Sequence, residues 1–305
     1  MTAAVVLLAA VTMAGANLPR PLSVFRPGEV KVGGEIGHRL EVTVDKMLHH
    51  TDIDGTFARH FRERKVKPEM PGGFAGYGMF LDALVKAAAH GIGGDETVSV
   101  KTCLLDAVSD MVTTNNLFTM YLDKAGFWDN HEGAYLIQAL ALDHRWFGSD
   151  CSLATACRIA DGLIDRKAFP TLGSETAYLL LYEETKNPKY LGWLEKEAAI
   201  AADLDTYDRT GQVNGVQHVY TWLARALAQV QYADAKGLDA NARRPLCAAA
   251  QEAFRRARTP YLSVTGSITG TPRWGELWDH TQAGLGQWGE TCASAYLMRL
   301  AAKTV

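Results

Sequence analysis

The chain has 305 residues, of which 48% are hydrophobic, 21% charged and 9% aromatic, values that exclude collagen-like, disordered and low-complexity classes. Thirty-one Lys and Arg against 34 Asp and Glu leave a net charge of −3 with no long run of one sign, which argues against nucleic acid as a partner. No apolar stretch reaches the roughly 18–20 residues that cross a bilayer, so no membrane partner is expected.

Taken in chain order, Ala3 to Val11 is an unbroken apolar run, followed by Met13-Ala14-Gly15-Ala16. An apolar core before a small-residue cleavage site predicts a signal peptide over 1–16, a mature domain over 17–305, and export to the periplasm or medium. No basic residue precedes the core, so a buried first helix is the alternative. The five cysteines (Cys103, Cys151, Cys157, Cys247 and Cys292) are an odd number without a C-x-x-C, and they do not make a disulfide scaffold.

The body reads as helix after helix. Helices are predicted over Gly34–His50, Phe74–His90 and Glu96–Asn115, the last with Leu104, Leu105, Val108, Met111 and Val112 as one buried stripe. His131–Phe147 is apolar nearly all round and should be central. Ser152–Ile164 and Glu175–Thr185 follow, and Pro188 suits the first turn of the next helix. Val216, Val219, Leu223, Leu227 and Val230 form another stripe, Asn241–Arg256 a further helix, and a last one should begin near Glu290. Only Tyr261–Val264 alternates like a strand. About ten helices in pairs repeating at about fifty residues predict an all-α fold, either a solenoid or a closed α/α toroid.

The chemistry concentrates late. Thr265 to Gly289 is a long Gly-rich loop that carries Trp274, Trp278 and Trp288, three of the seven tryptophans, together with Glu276, Asp279 and His280. Indole faces suit sugar rings, and apolar walls raise a carboxyl pKa towards that of a general acid. The competing reading is that these tryptophans plug one end of the helical core. Glu290 and Cys292 follow at a helix entrance, where a carboxylate and a thiolate can converge on zinc; a buried cysteine near a helix start is the plainer alternative. His131 and Glu132 open the central helix, and His218 sits among aromatics on the striped one, where a satisfied core histidine is the alternative to a ligand. No G-x-S-x-G supports a serine hydrolase, and Gly91–Gly94 lacks the strand and Lys-Ser/Thr of a phosphate loop.

VTGSITG from Val264, GELWDHTQ from Gly275 and above all GETCASAYLMRL from Gly289 stand together with VGGEIGHRLEVTVDKMLHHTDID from Val32, LLLYEETKNPKYL from Leu179 and HVYTWLARALAQ from His218. In these segments the chain resembles the α/α-toroid part of the β-L-arabinofuranosidase-type glycoside hydrolases, family 127 and its relatives, among the six-hairpin glycosidases. The resemblance implies an (α/α)6-type toroid, a carbohydrate substrate and a retaining mechanism in which a zinc-bound thiolate attacks the anomeric carbon. By motif, Glu276 matches the acid/base and Glu290 and Cys292 match two zinc ligands. His218, Trp274, Trp278, His280, Tyr135 and His131 are the expected substrate-binding residues. His218 matches a family histidine, but Tyr135 and Thr171 stand where two sugar-contacting histidines are expected, so arabinofuranose is not the implied sugar.

The family's remaining zinc ligands and its nucleophile lie in a downstream Cys-Cys-Pro segment and are followed by a β region, neither of which this sequence contains. The toroid is therefore expected to be short of one hairpin and its zinc centre partial. An inactive toroid that binds carbohydrate or a partner protein is the alternative, and a polysaccharide lyase or epimerase a weaker one.

Overall fold

The computed structural model describes residues 25–65, 76–122, 127–166, 174–202, 219–258, 268–269 and 289–304. Eleven α-helices are described: α1 (Gly34–Thr43, continued by a π-turn to Leu48), α2 (Arg59–Glu63), α3 (Tyr77–Ala89), α4 (Gly94–Met111), α5 (Phe127–Phe147), α6 (Asp150–Asp165), α7 (Ser174–Thr185), α8 (Pro188–Lys196), α9 (Val219–Lys236), α10 (Ala240–Arg258) and α11 (Thr291–Thr304). One antiparallel pair, β1 (Ile268–Thr269) with β2 (Gly289–Glu290), is the only sheet among the described residues.

Burial separates the helices into two rings. α7 is buried from Ser174 to Leu181 and α9 from Thr221 to Val230, whereas α4 buries one stripe that includes Leu104, Val108 and Met111. The inner helices α3, α5, α7, α9 and α11 pack each against the next, while α4, α6, α8 and α10 back them from outside. α5 is central, as its all-round apolar pattern requires. The result is a toroid of helical hairpins with five inner helices among the described residues. Two contiguous cores fill it: one runs from Ile53 on through α3–α8, and a second joins Trp222, Leu223 and Leu227 of α9 to Ala250 and Ala253 of α10 and Tyr296 and Leu300 of α11.

Local chemistry sets the hairpin turns. Between α5 and α6, Gly148 takes the left-handed conformation (φ 73°), and the Ser149 hydroxyl then accepts from the Ser152 N–H at 3.3 Å. Before α8, Asn187 accepts from the Lys189 N–H at 3.0 Å and Pro188 takes the first helical position, as expected. Most helix limits fall within three residues of expectation, and two differ by about a turn. α4 ends at Met111 rather than Asn115, because Thr113 starts a turn closed by Asn116 at positive φ, with Thr113 N–H donating to the Leu117 carbonyl at 2.7 Å. α5 starts a turn early, at Phe127, where the Asp129 carboxylate accepts from Thr119 Oγ1 and the Met120 N–H.

The α3–α5 contact is the tightest backbone approach in the inner ring at a glycine. A Cβ on Gly78 would lie 2.7 Å from the Glu132 carbonyl oxygen and the Leu136 nitrogen. Because these are backbone atoms, Gly78→Ala should cost about 1–3 kcal/mol through displaced helices, outweighing alanine's better helix propensity. Gly192→Ala on α8 has open space around it and should instead add up to about 1 kcal/mol. Urea midpoints of the two variants moving in opposite directions would bear this out.

Candidate functional site

The connections are unequal at the two ends of the toroid. Each inner helix leads to its outer partner through a turn of two to four residues, at 90–93, 148–149, 186–187 and 237–239. Each inner helix is reached through a longer segment: 64–76, 112–126, 166–173, 197–218 and 259–290. The short turns make antiparallel hairpins, so the five inner helices run in one direction and all the long connections arrive at their N-termini. Binding and catalytic groups gather on loops held by a rigid scaffold, which places the candidate site at that end. The β1–β2 pair, Ile268 against Glu290 and Thr269 against Gly289, ties the two ends of the 270–288 segment together immediately before α11.

Two inner helices present an i, i+4 pair of side chains at this end. α5 carries His131 and Tyr135, and α11 carries Cys292 and Tyr296. The Tyr135 and Tyr296 hydroxyls lie 3.4 Å apart and join the helices. His131 and Cys292 therefore each sit one helical turn, about 6 Å, nearer the loop end. The His131 ring meets Tyr135 edge-on, with centroids 5.1 Å apart. Burial pushes the His131 pKa down to about 4, so its imidazole is neutral at neutral pH.

Buried acids sit among these helix starts. Glu132 is fully buried, and its Oε2 accepts from the Gly78 N–H at 3.0 Å. Burial is the dominant influence and raises its pKa to about 7, against the opposing effect of the Gly76, Tyr77 and Gly78 amides. Glu175 on α7 pairs with Arg225 on α9 at 3.1 Å, both buried, and Arg225 also donates to the Ala198 and Ala199 carbonyls. Gln229 donates to the carbonyls of Ile200 (3.1 Å) and Ala202 (2.6 Å). One face of α9 thus fixes the start of the 197–218 connection.

The expected residues fall into three groups. His131, Tyr135 and Cys292 are brought to the same end by α5 and α11. Glu290 is placed by its backbone, in β2 opposite Ile268 and two residues from Cys292. Glu276, His218, Trp274, Trp278 and His280 lie outside the described residues, as do Thr171, Tyr261–Val264 and 1–16. No group of three or more His, Cys, Asp or Glu that could hold a metal exists among the described residues. Sequence reading did not single out Tyr296, Glu175 or Arg225. Tyr296 had a usable signal, since it follows Cys292 by four on a helix and must share its face.

No protein-family model and no curated protein matches the chain. Solved structures do match it in fold. A β-arabinofuranosidase of glycoside hydrolase family 127 superposes with a TM-score of 0.65 and 14% identity over 87% of this chain and 48% of that one. The family 127 β-L-arabinofuranosidase of Geobacillus stearothermophilus T6 gives a TM-score of 0.56 and 17% identity over 88% of this chain and 49% of that one. The chain shares their toroid fold and spans about half their length.

The two buried neighbours His131 and Glu132 shape the pH dependence of stability. Glu132, raised from 4.5 to about 7, binds a proton more readily folded than unfolded, so its contribution falls as pH rises from 4.5 to 7. His131, lowered from 6.5 to about 4, contributes stability that is lost as pH falls from 6.5 to 4. The slopes oppose each other, and stability should vary little between pH 4 and 7 on their account. Glu132→Gln removes one slope, so urea midpoints should then rise from pH 4 to 6.5. A variant with the same pH profile as the wild type would contradict the Glu132 assignment.

Proposed function

We propose that the chain is the toroid part of a glycoside hydrolase acting on plant- or microbe-derived glycans by a retaining mechanism. The observation that supports it most is the gathering of His131, Tyr135 and Cys292 at the one end where every long connection arrives. The fold shared with two family 127 enzymes agrees with it, and so do the GELW and ETC motifs. In this reading Glu276 is the general acid and base. It gives its proton to the glycosidic oxygen as the bond to the anomeric carbon breaks, then takes one from the water that releases the sugar. Trp274 and Trp278 flank it in sequence and supply apolar faces for the sugar, with His218 and His280 as hydrogen-bonding partners. Export through residues 1–16 belongs to the same reading.

Zinc belongs to it with a restriction. Cys292 stands in the first turn of α11, where the helix N-terminus favours a thiolate. Glu290 is two residues away, and no group of three or more ligand-type side chains gathers among the described residues. A closed zinc site needs four ligands and a catalytic one three with a water, so the described residues do not by themselves fit the ion. Extensively dialysed protein should hold zinc far below one equivalent. Stoichiometric zinc that disappears in Cys292→Ser would show instead that this chain builds a complete site.

A second reading is a toroid that binds carbohydrate or a partner without cleaving it. A lyase or epimerase using a tyrosine base fits less well, because burial raises the Tyr296 pKa and holds that phenol protonated. The Glu276 assignment separates these readings. Glu276→Gln should abolish hydrolysis of glycosides with poor leaving groups, spare activated aryl glycosides more, and leave sugar binding intact. Equal rates for variant and wild type on every substrate would remove Glu276 from the mechanism, and wild type that binds sugar without cleaving it would favour the second reading.

A further inference from the structure

We infer that the exposed apolar face of α1 is the surface through which two copies of this chain pair, antiparallel across a twofold axis. The inference stands apart from the carbohydrate reading and uses none of its residues.

The face is apolar and held in place from behind. Seven of the eleven large apolar side chains exposed among the described residues lie within residues 25–47, which makes a patch of them. Ile36 is 69% exposed and Met47 56%. Ile36, Leu40 and Thr43 follow at the i, i+4, i+7 spacing of one helix side, all exposed, and the Thr43 hydroxyl is satisfied by the Arg39 carbonyl at 2.8 Å. Gly37 is the one buried residue of α1, closed over by the Val32 carbonyl, and the helix packs mainly on its own continuation to Leu48. That continuation is anchored at the α3–α4 turn. Val44 is buried beside Gly93, and His49 Nε2 shares a hydrogen bond with Thr97 Oγ1 at 2.8 Å. A contiguous apolar patch on a fixed helix marks an interaction surface.

The charges beside the stripe identify the occupant. Glu35 and Arg39, both exposed and 2.6 Å apart, lie one turn from each other on the same flank. In an antiparallel helix pair each flank meets its own copy. A twofold axis near Gly37 therefore sets Glu35 opposite Arg39 of the partner subunit, and symmetry supplies the reciprocal pair. The apolar stripes then lie on each other. A lipid surface fits less well. Residues 34–48 hold three acids (Glu35, Glu41 and Asp45) against two bases (Arg39 and Lys46), whereas helices that lie on membranes are rich in Lys and Arg.

The size of the face sets the strength. Fifteen residues make a rod of about 22 Å, and two such rods bury less than the roughly 800 Å² per partner of a standard interface. Pairing should be reversible, with a dissociation constant of roughly 10–100 μM. The α3–α4 turn belongs to the end opposite the candidate site, so pairing and the site draw on different parts of the fold.

Sedimentation equilibrium of the full chain from 1 to about 500 μM tests this. Wild type should pass from monomer to dimer over that range, and Ile36→Glu should stay monomeric with an unchanged melting temperature, because Ile36 is exposed in the single copy. Glu35→Arg and Arg39→Glu should each weaken pairing about 10-fold, since each places like charges opposite one another twice. An equal mixture of those two variants should pair as tightly as wild type, because the mixed dimer restores both attractions. Wild type that stays monomeric to 500 μM would overturn the inference, as would a dimer that Ile36→Glu leaves intact. A mixture that pairs no better than its components would also overturn it. Monomeric wild type that floats with phosphatidylcholine–phosphatidylglycerol vesicles, and loses them in Ile36→Glu, would assign the face to a membrane instead.

Discussion

The described structure depends on the inner helices, five among the described residues, which pack against one another while running the same way. Parallel helices concentrate the positive ends of their dipoles at one end of the ring and leave many backbone N–H groups there without helical partners. Glu132 answers part of that need, and other buried acids fix neighbouring groups at the same end. Glu132 holds the first turn of α3 from α5, Asp129 takes the Thr119 hydroxyl and the Met120 amide, and Glu175 pairs with Arg225 across α7 and α9. The same alignment sends every long connection to that end and leaves tight turns at the other.

That division explains how stability and chemistry coexist. The turn end is fixed by compact devices, such as Gly148 with Ser149 and Asn187 with Pro188, and is backed by the buried Lys101–Asp143 pair, 2.6 Å apart, with Ser152 on the second Asp143 oxygen at 2.7 Å. The loop end carries groups whose ordinary titration is displaced by burial, His131 downwards and Glu132 upwards. Such groups mark functional ends of proteins, although Glu132 shows that a displaced carboxyl can serve a helix terminus instead of a substrate.

The helical fold was legible in the sequence because its signals are local. The stripe in α4, the all-round apolar α5 and the Asn187-Pro188 entrance all appear where periodicity and capping chemistry place them. What periodicity misses is where side chains outside a helix intervene, as with Thr113 and Asn116 ending α4 early and Asp129 extending α5 backwards. Division into inner and outer rings was legible only for α5, since α7 is no more apolar than a one-faced helix until Glu175 is seen paired with Arg225. In the candidate site, His131, Tyr135 and Cys292 were legible through motif and register, and the spacing of four from Cys292 sets the face of Tyr296, but not its pairing with Tyr135, 161 positions away. No local pattern encodes that contact.

The central claim is the proposal that sugar binds at the N-terminal end of the inner helices, where His131, Tyr135 and Cys292 gather. The most direct measurement is a crystal structure of the protein soaked with the methyl glycoside it binds most tightly. The account predicts sugar between α5 and α11, against His131, Tyr135 and Cys292. Sugar found at the turn end near Gly148 and Asn187, or on the outer helices, would contradict it.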